Sequence, residues 1–161
     1  MADTCSILVV DDYADGRQLL AEYLQFRGFV VVTAATGREA VDVATQTQPA
    51  AILMDLRMPG MDGWEATRLL RANPATSDIL IVAVTAAALP DDVRSAIDDG
   101  CDAVVAKPYD LTAFGDALSI ALVEGPSAFR FLGTTAQPAS GSRRGSERHG
   151  SRGPDARLVR A

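Results

Sequence analysis

The sequence has few of the features that mark secreted or membrane proteins. Its 161 residues include only two cysteines, Cys5 and Cys101, a number that fits a reducing compartment. The apolar runs are all far too short to cross a bilayer. The first residues show no basic segment followed by an apolar stretch, so we expect no signal peptide, no membrane association and a cytoplasmic location.

Positive charge is scarce over most of the chain. Residues 1–123 carry a net charge of −10, whereas residues 124–161 carry +4. Lys107 is the only lysine. An acidic folded region is a poor candidate for binding nucleic acid by itself, so we predict no DNA-binding domain.

Short apolar segments alternate with segments of helical periodicity. Five of them are almost continuously apolar, as strands buried on both faces must be: residues 6–10, 29–33, 51–54, 79–84 and 103–106. Each is followed by a helical pattern, and crossovers of that length join parallel strands. We therefore predict an α/β fold, a doubly wound five-stranded parallel sheet of (βα)5 type with the flavodoxin-like strand order 2-1-3-4-5. In the third helix, Leu69 and Leu70 are both predicted to face inward.

The composition changes near the end of the chain. Residues 133–161 are rich in Gly, Ser, Arg and Pro, and such a segment buries too little to offset its ordering entropy. We predict a domain over residues 1–125, a short apolar extension over 126–132 and a disordered tail over 133–161. The large apolar side chains of the extension, Phe129 among them, are expected to pack on the domain or on a partner.

Polar side chains follow four of the predicted strands. The first strand runs into Asp11-Asp12, the third into Asp55, the fourth into Thr85 and the fifth into Lys107. In an open parallel sheet, ligands bind at the carboxyl ends of the strands near the switch point in strand order. Because neighbouring strands lie about 4.8 Å apart, the three carboxylates are expected within a few ångströms of one another, with the lysine in reach.

A carboxylate cluster of this kind favours a cation. Two like charges 4 Å apart repel by about 4 kcal/mol at an effective dielectric constant of 20. Mg²⁺ suits a site with hard oxygen ligands and an adjacent phosphate. A carboxylate beside Mg²⁺ and a lysine can attack phosphorus, which yields an aspartyl phosphate.

Each of these residues also has a structural interpretation when taken alone. An Asp pair after a strand can cap a helix, a threonine can satisfy a strand end, and a single lysine can be solvated. Together these interpretations need four coincidences at the strand ends. Other features are interpreted as structural: Asp91-Asp92 and Asp98-Asp99 as solvated helix faces, and Trp64 as a packing residue.

The motifs at the strand ends resemble the signature of the response-regulator receiver family of two-component signal transduction (CheY-like). They are Ile-Leu-Val-Val-Asp-Asp at 7–12, Asp-Leu-Arg-Met-Pro-Gly-Met-Asp-Gly at 55–63, Thr85-Ala86 and Lys107-Pro108. All four occur in order, and the resemblance covers about residues 5–123. It implies that Asp55 is the phosphoacceptor, and that Asp11, Asp12, Asp55 and the backbone carbonyl of Arg57 bind Mg²⁺.

The resemblance also assigns roles at the last two strands. Thr85 would hydrogen-bond the phosphoryl group, Lys107 would pair with it, and the Lys107–Pro108 peptide bond would be cis. One position departs from the pattern: Val104 stands where the family usually has an aromatic residue three positions before the lysine. Without an aromatic side chain at this position, the coupling between phosphorylation and an output surface is expected to be weakened.

The implied function is that of a single-domain response regulator. A sensor histidine kinase or phosphotransfer protein would donate the phosphoryl group, and phosphorylation would switch a surface that binds a downstream protein. The chain would not be an enzyme beyond its own phosphorylation and autodephosphorylation. The alternative is a phosphoryl shuttle or sink in a phosphorelay, which back-transfer to a phosphotransfer protein would reveal.

Two other classes are disfavoured. A phosphohydrolase of the haloacid-dehalogenase type needs an Asp-x-Asp motif, and Asp55-Leu56-Arg57 is not one. A nucleotide-binding module needs a glycine-rich loop after the first strand, where this sequence has Asp-Asp-Tyr.

Overall fold

The computed structural model describes residues 5–86, 88–132 and 135–136. The strands in this part of the chain are β1 (Ser6–Val10), β2 (Val30–Ala34), β3 (Ala51–Met54), β4 (Leu80–Thr85), β5 (Ala103–Ala106) and β6 (Thr135–Ala136). The α-helices are α1 (Ala14–Phe26), α2 (Gly37–Thr47), α3 (Gly63–Ala72), α4 (Pro90–Asp99) and α5 (Leu111–Glu124), and a 3₁₀ helix spans Pro126–Leu132.

The strands form one sheet in the order β2-β1-β3-β4-β5-β6. The first five are parallel, so the predicted fold class and the order 2-1-3-4-5 are confirmed. Strands β2 and β4 begin and end one residue later than predicted. As a result, Thr85 is the last residue of β4 and lies inside the sheet rather than in the following loop.

Helices cover both faces of the sheet. Alternate residues of β1 enter different cores: Ile7 and Val9 pack with residues of α1 and α5, while Leu8 and Val10 pack with residues of α2, α3 and α4. This follows from the two-residue repeat of a strand, which points successive side chains to opposite faces. The continuous apolar runs in the sequence therefore reflect burial on both sides.

Helix α3 corrects one prediction. Leu70 is fully buried, but Leu69 is exposed, so its predicted inward orientation is wrong. Consecutive residues of an α-helix point about 100° apart, and Ala66, Thr67 and Leu70 already occupy the inward face.

The chain turns back onto the sheet after α5. Phe129, in the 3₁₀ helix, is completely buried, and its ring centroid lies 5.6 Å from that of Phe114 in α5. The expected packing of the extension on the domain is thus confirmed for Phe129. Strand β6 then pairs with β5 in the antiparallel sense, with Thr135 opposite Val104.

Strand β6 was not predicted from the sequence. Its two residues fall in the segment predicted to be disordered, so that prediction does not hold for Thr135–Ala136. Residues 133–134 and 137–161 lie outside the described residues, and the predicted tail stays a prediction there. Two residues carry no periodicity from which a strand could be recognised.

Two further findings concern the cysteines and the helices. Cys5 and Cys101 are both free thiols. In the part of the chain that the structure describes, none of the helices has both the length and the apolar character needed to cross a membrane.

Candidate functional site

Three carboxylates meet at the carboxyl ends of β1 and β3. Carboxylate oxygens of Asp11, Asp12 and Asp55 all lie within 4.8 Å of one another. Asp11 and Asp55 are buried, whereas Asp12 is exposed. The hydrogen bond from the Asp55 backbone N–H to the carbonyl of Val10, at 2.9 Å, aligns the two strand ends. The proximity predicted from strand order is confirmed.

Lys107 joins this cluster from β5. Its Nζ donates to Oδ2 of Asp11 at 2.7 Å and lies 3.6 Å from Oδ2 of Asp55. Burial by itself would lower the pKa of Lys107, but the hydrogen bond to Asp11 and the charges of both carboxylates outweigh it and raise the pKa. The lysine is therefore a fixed positive charge at the site. The Lys107–Pro108 peptide bond is cis, as the resemblance implies.

The surroundings of Asp55 disfavour the charged form of its carboxyl. Burial raises the pKa of its carboxyl, and the neighbouring Asp11 raises it further. The charge of Lys107 and a hydrogen bond from the backbone N–H of Arg57 act in the opposite direction without cancelling the rise. Further positive charge placed beside Asp55 would therefore stabilise the charged form of its carboxyl.

Thr85 and Arg57 complete the set predicted from the sequence. Thr85 is buried at the end of β4, the strand next to β3, and its backbone carbonyl accepts a 2.9 Å hydrogen bond from the N–H of Lys107. The backbone N–H of Arg57 lies 3.3 Å from Oδ1 of Asp55. All six predicted site residues therefore lie at one edge of the sheet, and the roles assigned to them remain predictions.

Two further residues hold the loops of the site: Arg17, and Gly63 at the end of the 55–63 motif. Arg17 donates from its guanidinium to the backbone carbonyl of Asp11 at 2.7 Å, which ties α1 to the end of β1. Gly63, the first residue of α3, packs directly on Asp55: a Cβ at this position would overlap the backbone oxygen of Asp55. Local motifs do not reveal either contact, because both depend on how the helices return to the sheet.

A polar cluster outside the carboxylates corrects a further prediction. The guanidinium of Arg57 pairs with Oδ1 of Asp92 at 3.2 Å and lies over the ring of Trp64. The Asp92 side chain is only 19% exposed, so its interpretation as part of a solvated face is wrong. Asp99 is likewise ion-paired, with Arg68. We refer to Arg57, Trp64 and Asp92 as the Arg57 cluster.

An apolar cavity of about 340 Å³ adjoins the site, and Asp11 and Lys107 form part of its wall. It lies between the start of α1 and the loop from β5 to α5, and its walls include Leu20, Pro108 and Tyr109. Tyr13 and Leu19, which also line it, are largely exposed. Burial and the charge of Asp11 raise the pKa of Tyr109 to about 12, so its hydroxyl stays neutral.

Comparison with known proteins gives a consistent result. The model of the response regulator receiver domain matches residues 7–119. The polar-differentiation response regulator DivK of Brucella ovis is 31% identical over 111 residues, which are 69% of this chain and 90% of DivK. The sensor histidine kinase RcsC of Salmonella typhi is 35% identical over 118 residues, which are 73% of this chain but only 12% of RcsC.

Solved structures agree with the sequence relatives. The chemotaxis response regulator CheY4 of Vibrio cholerae superimposes with a TM-score of 0.68 at 28% identity, over 72% of this chain and 97% of CheY4. A response regulator structure from Chloroflexus aurantiacus superimposes with a TM-score of 0.71 at 25% identity, over 76% of this chain and 100% of that one.

Proposed function

Because the chain belongs to the response-regulator receiver family, we propose that it accepts a phosphoryl group on Asp55 with the help of Mg²⁺. The observation that carries this proposal is the convergence of three carboxylates, within 4.8 Å of one another, on a lysine 2.7 Å from Asp11. The donor is a phosphohistidine on a sensor histidine kinase or phosphotransfer protein. Likeness to the response regulator DivK along 90% of that protein supports action as a single-domain response regulator. In that role, phosphorylation switches a protein-binding surface.

The chemistry follows from the positions of three side chains. A carboxylate oxygen of Asp55 attacks phosphorus, the P–N bond to the donor imidazole breaks, and the imidazole nitrogen keeps the electron pair and takes up a proton. Lys107, whose Nζ is 3.6 Å from Asp55, pairs with the phosphoryl oxygens as their charge develops. Thr85, at the end of the adjacent strand, donates its hydroxyl to one of them.

The residues present fit a divalent cation. The oxygens of Asp11, Asp12 and Asp55 form a compact set of hard ligands, and the backbone carbonyl of Arg57 is the proposed fourth protein ligand. When bound, Mg²⁺ neutralises charge on the transferring oxygens. Autodephosphorylation at the same site returns Asp55 to the free carboxylate.

The first test of this function is chemical phosphorylation of the intact chain. Incubated with acetyl phosphate and Mg²⁺, the protein is expected to gain the mass of one phosphoryl group, and chelation of the metal with EDTA should prevent the gain. Intact-protein mass spectrometry measures both. A chain that stays unmodified with Mg²⁺ present would contradict the proposal.

Magnesium binding is also expected to stabilise the fold. A ligand that binds only the native state adds about 1.4 kcal/mol at ten times its Kd. Asp12→Ala should remove this gain and, without metal, should be at least as stable as the wild type, because one like charge has left the cluster. Thermal melts with and without Mg²⁺ measure both effects. Asp78→Ala, an exposed acid outside the cluster, is the control and should keep the wild-type response; a wild-type melt indifferent to Mg²⁺ would exclude the site.

The surface beside the carboxylates suits a protein donor. Tyr13 is 65% exposed and Leu19 is 58% exposed at the mouth of the apolar cavity, next to Asp11 and Lys107. Apolar groups exposed together beside a reactive site are typical of a binding surface. We propose that the phosphodonor docks there.

One observation favours the alternative function of a phosphoryl shuttle or sink. Val104 is buried in β5 and carries no aromatic ring that could report the state of the site to the surface. Return of the phosphoryl group from the loaded chain to a phosphotransfer protein, without capture of a downstream partner, would favour the shuttle over the effector-binding switch.

A further inference from the structure

The Arg57 cluster connects three elements around the site. Arg57 belongs to the loop that follows β3, Trp64 to the first turn of α3 and Asp92 to the first turn of α4. The guanidinium of Arg57 lies 3.2 Å from Asp92 and 5.6 Å from the centre of the Trp64 ring. The Trp64 Nε1–H donates to the backbone carbonyl of Asp92 at 3.5 Å, so α4 is held at its start by two contacts.

Arg57 also contacts the proposed phosphoacceptor, Asp55, through a hydrogen bond. The backbone N–H of Arg57 donates to Oδ1 of Asp55 at 3.3 Å. A phosphoryl group carries about −1.5 to −2 charge and three acceptor oxygens, and a guanidinium binds such oxygens in a fork geometry. A phosphoryl group on Asp55 would therefore place a second set of anionic acceptors beside the residue whose guanidinium pairs with Asp92.

The resting ion pair is suited to such an exchange. The Arg57 side chain is 66% exposed, so solvent screens the pair and leaves room for the long side chain to take another rotamer. Asp92 is much less exposed and stays fixed on its helix. Two discrete arrangements of one side chain are what a switch between distant elements requires.

We propose that Arg57 transmits the state of Asp55 to helix α4. In the unphosphorylated chain Arg57 holds the first turn of α4 through Asp92; in the phosphorylated chain it turns to the phosphoryl oxygens and releases that turn. The inference rests on the proposed phosphorylation of Asp55. It deepens that proposal, because it gives the chain a route to its surface that does not pass through Val104.

A second ion pair provides a matched comparison. Arg68 of α3 pairs with Asp99 of α4 at 2.8 Å, and the Asp99 side chain is 22% exposed, close to the value for Asp92. Both pairs fasten an arginine to an acid of the same helix, but only Arg57 touches Asp55. Asp92→Asn and Asp99→Asn therefore make the same chemical change at the two ends of α4.

The experiment uses the full chain with Mg²⁺ and beryllofluoride, a stable mimic of the phosphoryl group. In the wild type, addition is expected to shift the amide resonances of Asp55 and Leu56, those of the first turn of α4, and the indole N–H of Trp64, the only tryptophan. In Asp92→Asn, the resonances of α4 and of Trp64 should already be displaced toward their loaded positions, and addition should move them little. The shifts at Asp55 and Leu56 should persist.

The results for the wild type and the two variants distinguish failure of the proposed Arg57 route from failure of the proposed phosphorylation of Asp55. Asp99→Asn is expected to respond like the wild type throughout. A full α4 response in Asp92→Asn would overturn the proposed route, and so would an equal loss in both variants, which would point to general loosening of the helix. Absence of any shift at Asp55 in the wild type would instead overturn the proposed function, and the inference with it.

Discussion

Asp55→Asn is expected to abolish phosphorylation by acetyl phosphate while leaving the fold intact. The substitution keeps the shape of the side chain but replaces the attacking carboxylate oxygen with an amide. Lys107 keeps its 2.7 Å partner Asp11 when Asp55 is neutral, so the cluster loses a charge without leaving the lysine unpaired. Mass spectrometry after incubation with acetyl phosphate and Mg²⁺ measures the loss.

The control for this variant comes from the same loop. Asp62 caps helix α3, its side chain accepting from the N–H of Glu65 at 2.8 Å, and asparagine caps helices about as well as aspartate. Asp62→Asn should therefore be phosphorylated like the wild type. Undiminished phosphorylation of Asp55→Asn would mean that another residue accepts the phosphoryl group.

The stability of Asp55→Asn should also show that the site disfavours a charged carboxyl at this position. Burial raises the pKa of Asp55 in the folded protein, so the folded state holds this proton more tightly than the unfolded state. Ionised Asp55 therefore destabilises the metal-free fold at neutral pH, and Asp55→Asn should unfold at a higher urea concentration there. This difference in stability should shrink as the pH falls through the raised pKa of Asp55 in the folded protein. It should vanish below the pKa of Asp55 in the unfolded chain, where the carboxyl is protonated in both states.

Phe129→Ala is expected to cause a large loss of stability. The side chain is completely buried, packs on Phe114 and belongs to the core shared by α1, α5 and the sheet. Truncation of a buried phenylalanine to alanine costs about 3–5 kcal/mol, and the lower end is expected here because the segment after α5 can detach from the domain. Urea unfolding of the two proteins measures the difference.

Two further variants serve as comparisons for the stability of Phe129→Ala. Phe26→Ala removes a ring that is 86% exposed and should change the unfolding free energy by less than about 0.5 kcal/mol. A chain ending at Gly125 should lose at least as much stability as Phe129→Ala, since it also lacks β6. Wild-type stability of that short chain would show that the domain ends at Gly125, the boundary predicted from the sequence pattern.

The sequence by itself was sufficient for the five parallel strands and their helices, and for the residues gathered at the site, but not for β6. Strands buried on both faces leave continuous apolar runs, and Pro90 and Gly100 mark the ends of α4 in the sequence. Once the strand order is known, residues at strand ends must meet at one edge, which is why Asp11, Asp55 and Lys107 could be placed together. These signals are local, and each depends only on a residue and its near neighbours.

Only the tertiary structure decided which distant side chains meet. Arg57 and Asp92 are 35 residues apart, and nothing in either segment distinguishes an ion-paired aspartate from a solvated one. The packing of Phe129 on Phe114 and the pairing of β6 with β5 depend likewise on the direction in which the chain leaves α5. The periodicity of a helix or strand sets which face of that element is apolar, whereas the choice of partner depends on the relative placement of elements that are remote in sequence.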